Sequence, residues 1–261
     1  MIQVSRNDGV SSYAAPIKRA IGASAGQWFH FAWVFNGTSD TLYINGVAGS
    51  TYTSYTDTAT GNGSNYIGTR VPGSAAFDGR LDEMRISGVA RSAAWISAQY
   101  DSMNGTFVTM GEEQENAPPV IVNALDRVDP AAADDATTAR SGIIADTSAG
   151  EWLYKKQLTF LNGTRAEDLK DFPVLVHLTN SNFDFTKAKN DGSDIRFYDA
   201  DGTTALAYEI ESWNASTKQA YIWVKVPQID QSSSSDSIWM EYGNPLATDA
   251  QSATNVWNSG F

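Results

Sequence analysis

The chain has no cysteine and only two histidines, His30 and His177, in 261 residues. That excludes a disulfide framework, a thiolate metal site, a cysteine nucleophile and an iron–sulfur cluster, and leaves almost nothing for a multi-histidine metal site. Positive charge is also scarce. Eighteen Lys and Arg stand against thirty Asp and Glu, a formal charge of −12. A surface so acidic is repelled by nucleic-acid phosphates and by anionic lipid, so a nucleic-acid partner is not expected. No run of about 18 apolar residues occurs, so no helical membrane insertion is expected. The first residues, Met1 to Arg6, show neither the basic stretch nor the apolar stretch of a signal peptide.

What is present is β-forming and turn-forming. Hydrophobic residues make up 42% and aromatics 11%, with 8 Trp, which is enough to build a core, while charged residues reach only 18%. Apolar and polar residues alternate with period two through most of the chain. In the first part, an aromatic run from Trp28 to Phe35 is followed by Asn36-Gly37, a run from Thr41 to Asn45, and Asn45-Gly46. Asn-Gly between strands is a strong hairpin signal because both residues tolerate positive φ. Further strands are expected at 65–68 and 79–87, and one helix at 92–100, where Ser92 can cap and Ile96 and Tyr100 stand four apart. Residues 111–150 change texture. Glu112-Glu113-Gln114-Glu115, Ala117-Pro118-Pro119 and the alanine-rich stretch from Ala131 read as a linker, with a single short strand at 120–123.

After the linker the alternation returns. Val174, Val176 and Leu178 form one series; Ile195 and Phe197, Tyr208 and Ile210, Ile222 to Val226, and Ile238 to Tyr242 form the others. Asn162-Gly163, Asp191-Gly192, Asp201-Gly202 and Gly243-Asn244-Pro245 separate them. The expected fold class is therefore all-β: two antiparallel β-sandwich, jelly-roll-like domains joined by a linker, with the first incomplete. The expected divisions are 1–110, 111–150, 151–250, and 251–261 as the start of a following segment.

Five words carry a resemblance in the first block: Gln27-Trp28-Phe29-His30-Phe31-Ala32, Leu42-Tyr43-Ile44-Asn45-Gly46, Tyr66-Ile67-Gly68, Phe77-Asp78-Gly79-Arg80-Leu81-Asp82-Glu83-Met84-Arg85-Ile86, and Trp95-Ile96-Ser97-Ala98-Gln99-Tyr100. In this order they resemble the C-terminal half of a laminin-G-like, concanavalin A-like jelly roll. The resemblance implies two curved sheets and, often, glycan or protein binding, without implying chemistry. The second block, through Phe172-Pro173-Val174-Leu175-Val176, Gly192-Ser193-Asp194-Ile195-Arg196-Phe197, Tyr208 to Trp213, Ile222 to Pro227 and Met240 to Pro245, resembles a bacterial domain of unknown function (series number 2341). That domain accompanies such jelly rolls in large surface proteins, and some relatives carry labels from biopolymer-transport proton channels. The resemblances start and stop partway through domains, so the chain reads as a piece of a tandem array from a multidomain bacterial protein at the cell surface or outside it.

Candidate sites are of two kinds. With regular alternation, Trp213 shares a face with Glu209 and Glu211, Trp223 with Tyr221 and Lys225, and Trp239 with Glu241. Indole faces stack on sugar C–H groups while carboxylates and ammonium groups bind hydroxyls, so Trp213, Tyr221, Trp223, Trp239, Glu209, Glu211 and Lys225 are the candidate carbohydrate-contact residues. Glu209 and Glu211 also have the residue type of a glycosidase acid pair, but three alternating acids on one strand are absent. The second kind is calcium. Asp78 and Asp82 in one turn, and Asp199 and Asp201 in another, offer oxygens but not the EF-hand spacing. No Gly-x-Ser-x-Gly elbow accompanies His30 or His177, so both are assigned to packing. The expected function is a non-catalytic carbohydrate-binding module whose partners are a glycan or neighbouring domains. The alternatives are a structural or adhesion spacer, a glycoside hydrolase fragment, and an extracytoplasmic accessory of a transport protein.

Overall fold

A computed structural model of the chain describes residues 2–4, 17–19, 26–53, 68, 77–116 and 151–258. The strand expected at 65–68, most of the linker and its strand at 120–123 lie outside the described residues. The described residues are all-β apart from short helices. Strands β1 (Ile2–Val4) and β2 (Ile17–Arg19) form an antiparallel ribbon. Strands β3 (Phe31–Phe35), β4 (Asp40–Ile44) and β5 (Val47–Tyr52) form a meander in that order, and β2 lies against β4 and β5. Asn45 and Gly46 both take positive φ (48° and 75°), as the turn between β4 and β5 requires.

Helix α1 (Ala93–Met103) begins where Ser92 caps it, its side chain accepting the amide of Trp95 at 3.0 Å. A Cβ on Gly46 would lie 3.1 Å from the Cα of Ser97, so glycine lets the hairpin turn meet the helix backbone directly. Two further strands follow, β6 (Val108–Met110) and β7 (Gln114–Glu115), and then β8 (Tyr154–Phe160), β9 (Leu169–Thr179), β10 (Arg196–Tyr198), β11 (Tyr208–Asn214), β12 (Gln219–Ile229) and β13 (Ser237–Tyr242). One sheet has the order β10–β13–β8–β6, with β7 also paired to β8; the other has the order β11–β12–β9. The two enclose a core of Val174, Val176, Leu178, Ile195, Phe197, Ile222, Val224, Val226, Ile238, Met240 and Tyr242, the residues picked out by their alternation.

Three observations bear on these expectations. The division at residue 110 falls inside a ladder: Val108 pairs with Phe160, Gln114 pairs with Lys155, and the amide of Gly111 between them donates to Gln157 at 2.8 Å. Glu113 ion-pairs with Lys187 and accepts the Tyr242 hydroxyl at 2.5 Å. The segment read as the start of a linker thus covers the edge of β8, which otherwise presents unpaired backbone groups. The strand expected at 79–87 enters no ladder, because Glu83 takes a φ of 51° and interrupts the extended run. The tail from residue 251 folds back on this sandwich. Ser252 donates to the Tyr208 carbonyl at 2.9 Å, and helix α2 (Ala253–Val256) buries Val256 beside Leu175 and Trp223.

One hydrophobic core joins what the sequence divided. Tyr43, Trp95, Ile96 and Phe107 belong to the same buried cluster as Phe160, Phe172 and Val174. Trp95 meets Phe172 edge-to-face at 5.3 Å, and Phe107 packs on both Phe160 and Phe172. Removing the Trp95 ring leaves a void at that seam. Trp95→Ala is therefore expected to cost about 3–5 kcal/mol, read as a lower urea midpoint, with Trp fluorescence and far-UV circular dichroism still reporting one transition.

Candidate functional site

The outer face of β11–β12–β9 carries the site. β12 turns Ile222, Val224 and Val226 into the core, so Tyr221, Trp223 and Lys225 emerge on the other side, opposite His177, Leu175 and Pro173 of β9. Tyr221 stacks on His177 with ring centroids 4.4 Å apart and planes within 8°. Glu209 lies directly across from Trp223. Trp223 is nevertheless only 1% exposed, because other parts of the chain cover it.

The cover comes from Arg85 and Trp257, neither of them a candidate contact residue. Arg85, from the irregular segment before α1, lays its guanidinium over two indoles, 4.1 Å from the centroid of Trp223 and 4.3 Å from that of Trp257. The two indoles meet edge-on at 5.4 Å. Each N–H is tied to a carboxylate: Trp223 donates to Glu211 at 2.7 Å and Trp257 to Glu209 at 2.6 Å. Glu83 ion-pairs with Arg85. Together with Met84 and Ile86 these residues line an open cleft of about 490 Å³. Glu83 and Arg85 lie two apart, and both are mostly covered while Met84 and Ile86 are 62% and 78% exposed. That alternation is the signal from which Arg85 could have been found.

The electrostatics follow from burial and crowding. Desolvation raises the Glu211 carboxyl above its usual range; the Trp223 N–H opposes this, and the carboxylates of Glu83 and Asp82 add to it. Burial lowers the Arg85 guanidinium, while Glu83, Glu211 and Glu209 draw it back toward the charged form. His30 is lowered by burial and then by the nearby Arg85 charge. It sits in packing, its amide bonded to the Asn45 side chain at 2.9 Å and its ring 6.1 Å from Tyr100.

Of the seven candidate contact residues, Glu209, Glu211, Tyr221, Trp223 and Lys225 share this face. Trp213 and Trp239 do not. Between Ile210 and Ser212 the register of β11 slips by one residue, so Trp213 turns into the core against Phe183 and Phe185. Its ring lies so close to Gly192, at φ 71°, that a Cβ there would stand 2.7 Å from it. Trp239 belongs to the opposite sheet, paired with Tyr198 and Gln157, with the Lys155 ammonium 4.9 Å from its ring. A platform of three indoles is thus not assembled. Lys225 is bonded to Asn258 at 2.6 Å and stands 3.9 Å from Asp171.

The calcium candidates occupy turns. Asp201 accepts the amides of Thr203 and Thr204, both at 2.8 Å, and the Thr204 hydroxyl; these bonds hold its carboxyl at about 2. Asp199 accepts the Ala200 amide at 2.8 Å and Asp82 that of Glu83 at 3.0 Å, while Asp78 lies exposed. Among the described residues, no group of three or more His, Asp or Glu is arranged to hold a metal.

Residues 2–97 match the concanavalin A-like lectin/glucanases superfamily, and residues 191–261 match a domain of unknown function, DUF2341. No curated protein and no solved structure matches the chain. The superfamily's description spans sugar binders and sugar-cleaving enzymes, so a binding or structural role fits the chain. No helix among the described residues is long and apolar enough to cross a membrane.

The raised Glu211 carboxyl sets a pH dependence. The folded state holds this proton more tightly than the unfolded chain, so its contribution to stability is complete below the unfolded value. The contribution is lost as pH rises through the folded one. Thermal melts from pH 4 upward are expected to show wild type losing stability relative to Glu211→Gln as Glu211 ionises; parallel curves would show that the carboxyl is not shifted.

Proposed function

We propose that the chain is a non-catalytic carbohydrate-binding module of an extracellular or cell-surface bacterial protein, with its sugar contacts on the lectin-like block. One observation carries this reading. Trp28, Phe31 and Trp33 are 66%, 46% and 41% exposed, and the last two stand side by side on the same face of β3. Large apolar rings left exposed to water are a common feature of contact surfaces. The Trp33 N–H donates to the buried carboxylate of Asp40 at 2.8 Å, which fixes the indole plane. A fixed, exposed aromatic face suits the C–H face of a pyranose, with little ordering entropy lost on binding. The match to a superfamily of lectins and glucanases supports the same ligand class.

The acid cluster near Trp223 argues for contact over cleavage. A hydrolase needs one carboxyl free to give a proton to a glycosidic oxygen and a second free to attack or to activate water. Here Glu83 pairs with Arg85, and Glu209 and Glu211 each accept an indole N–H. The guanidinium lies over the indole faces where a sugar ring would rest. A structural spacer is the second reading, favoured by the core that runs unbroken from Tyr43 to Met240.

A glycan array followed by titration calorimetry separates these readings. The module is expected to bind a glycan class, and Trp33→Ala to weaken that binding at least tenfold, which corresponds to about 1.4 kcal/mol. Retained binding in Trp33→Ala would move the site elsewhere, and an empty array would favour the spacer. Sugar release abolished in Glu209→Gln would establish a hydrolase.

A further inference from the structure

The cleft beside Trp223 has an occupant, and that occupant comes from the other matched region. Glu209, Glu211, Trp223 and Trp257 all lie within residues 191–261, whereas Arg85 lies within residues 2–97. We propose that these four side chains form a guanidinium-recognition pocket of the second unit, and that Arg85 is its ligand within the same chain, fastening the lectin-like unit to its neighbour.

Each part of the pocket suits a guanidinium. The cation is flat and weakly hydrated, so it can lie against an indole face while its edges bond carboxylates; an ammonium keeps a tighter hydration shell and offers no plane. The guanidinium carbon stands 4.1 Å and 4.3 Å from two indole centroids whose planes are inclined by 62°, so the two rings form a corner. The carboxylates that bond the two indole N–H groups hold that corner open at a fixed angle and place negative charge around it. Glu209 and Glu211 of the pocket and Glu83 of the Arg85 segment surround one cation, so with the Arg85 side chain removed the cleft stays acidic and suited to another cation of the same shape. The corner is built by the second unit itself. Trp223 is fixed in β12, and Trp257 is held by the turn of α2, whose Val256 is fully buried. Arg85 approaches on a segment that joins no sheet, in which Glu83 and Arg85 are mostly covered while Met84 and Ile86 face outward.

The test is chemical rescue in the full chain. Arg85→Ala empties the pocket without altering its walls, and the indole N–H signals of Trp223 and Trp257 are followed by ¹H–¹⁵N correlation during titration with N-ethylguanidinium. Saturable shifts are expected at those two of the eight Trp, at least fivefold tighter for ethylguanidinium than for ethylammonium at equal ionic strength, and absent from wild type, where Arg85 competes. Adding Glu209→Gln and Glu211→Gln to Arg85→Ala is expected to weaken the response a further fivefold, about 1 kcal/mol by conversion. A folded Arg85→Ala protein with no saturable shift, with equal response to the two cations, or with the same response as wild type overturns the proposal. Should Arg85→Ala not fold, Arg85→Met keeps the apolar stem and takes the same titration. If neither variant folds, recovery of the fold by ethylguanidinium supports the pocket, and failure to recover it reduces Arg85 to a packing residue.

Discussion

Strand β12 must bury both of its faces, and most of the architecture answers that requirement. Its inner series, Ala220 to Val226, is aliphatic and fills the sandwich. Its outer series is Tyr221, Trp223 and Lys225, in which a large indole sits at the centre of the sheet between β11 and β9. Leaving a Trp there in water would forfeit about 3 kcal/mol of burial. The chain supplies a cover from two sides, the Arg85 segment before α1 and the α2–Trp257 tail, and Met103 of α1 adds to it. The packing of the first region on the second therefore follows from the composition of one strand.

That packing also explains why the two regions share a core. Once α1 is drawn against β9, Trp95 reaches Phe172, and the chain leaving the helix passes Phe107 onto the edge of β8. The backbone of 107–116 then satisfies its hydrogen bonds on that edge. Fixing the seam needs no special chemistry beyond paired backbone and aromatic contact.

Much of the fold was legible from alternation alone. Inward series such as Val174, Val176 and Leu178, or Ile238, Met240 and Tyr242, are buried as expected, because a sandwich strand can hide only every second residue. Asn45-Gly46 and Ser92 were equally readable, since turn and cap geometry are set by local backbone sterics and local hydrogen bonds. Apart from the interruption at Glu83, the failures are non-local. The slip in β11 that sends Trp213 inward depends on how that strand meets β12, which no period within β11 records. The edge of β8 that recruits Val108–Met110 is formed by residues some fifty positions later. Glu209, Glu211 and Trp223 are candidates from residue type and face; Arg85 and Trp257 are not, because the indoles and carboxylates that meet them, Glu83 aside, stand far away in sequence.

The charges at this seam carry a last consequence. A guanidinium with most of its surface covered is costly unless its counter-charges are close and themselves hydrogen-bonded. Glu83 alone could neutralise Arg85, yet Glu209 and Glu211 also face it, each already engaged by an indole N–H. The excess carboxylate is the opposite of what a purely structural ion pair needs, since one such group, Glu211, is pushed toward its neutral form by its own crowding and burial. Replacing the cluster with aliphatic residues would cover Trp223 at less electrostatic cost. What the polar arrangement adds is selectivity: it accepts a flat cation in one orientation and rejects an apolar or anionic side chain. The segment before α1 is thereby tied to the outer face of β12.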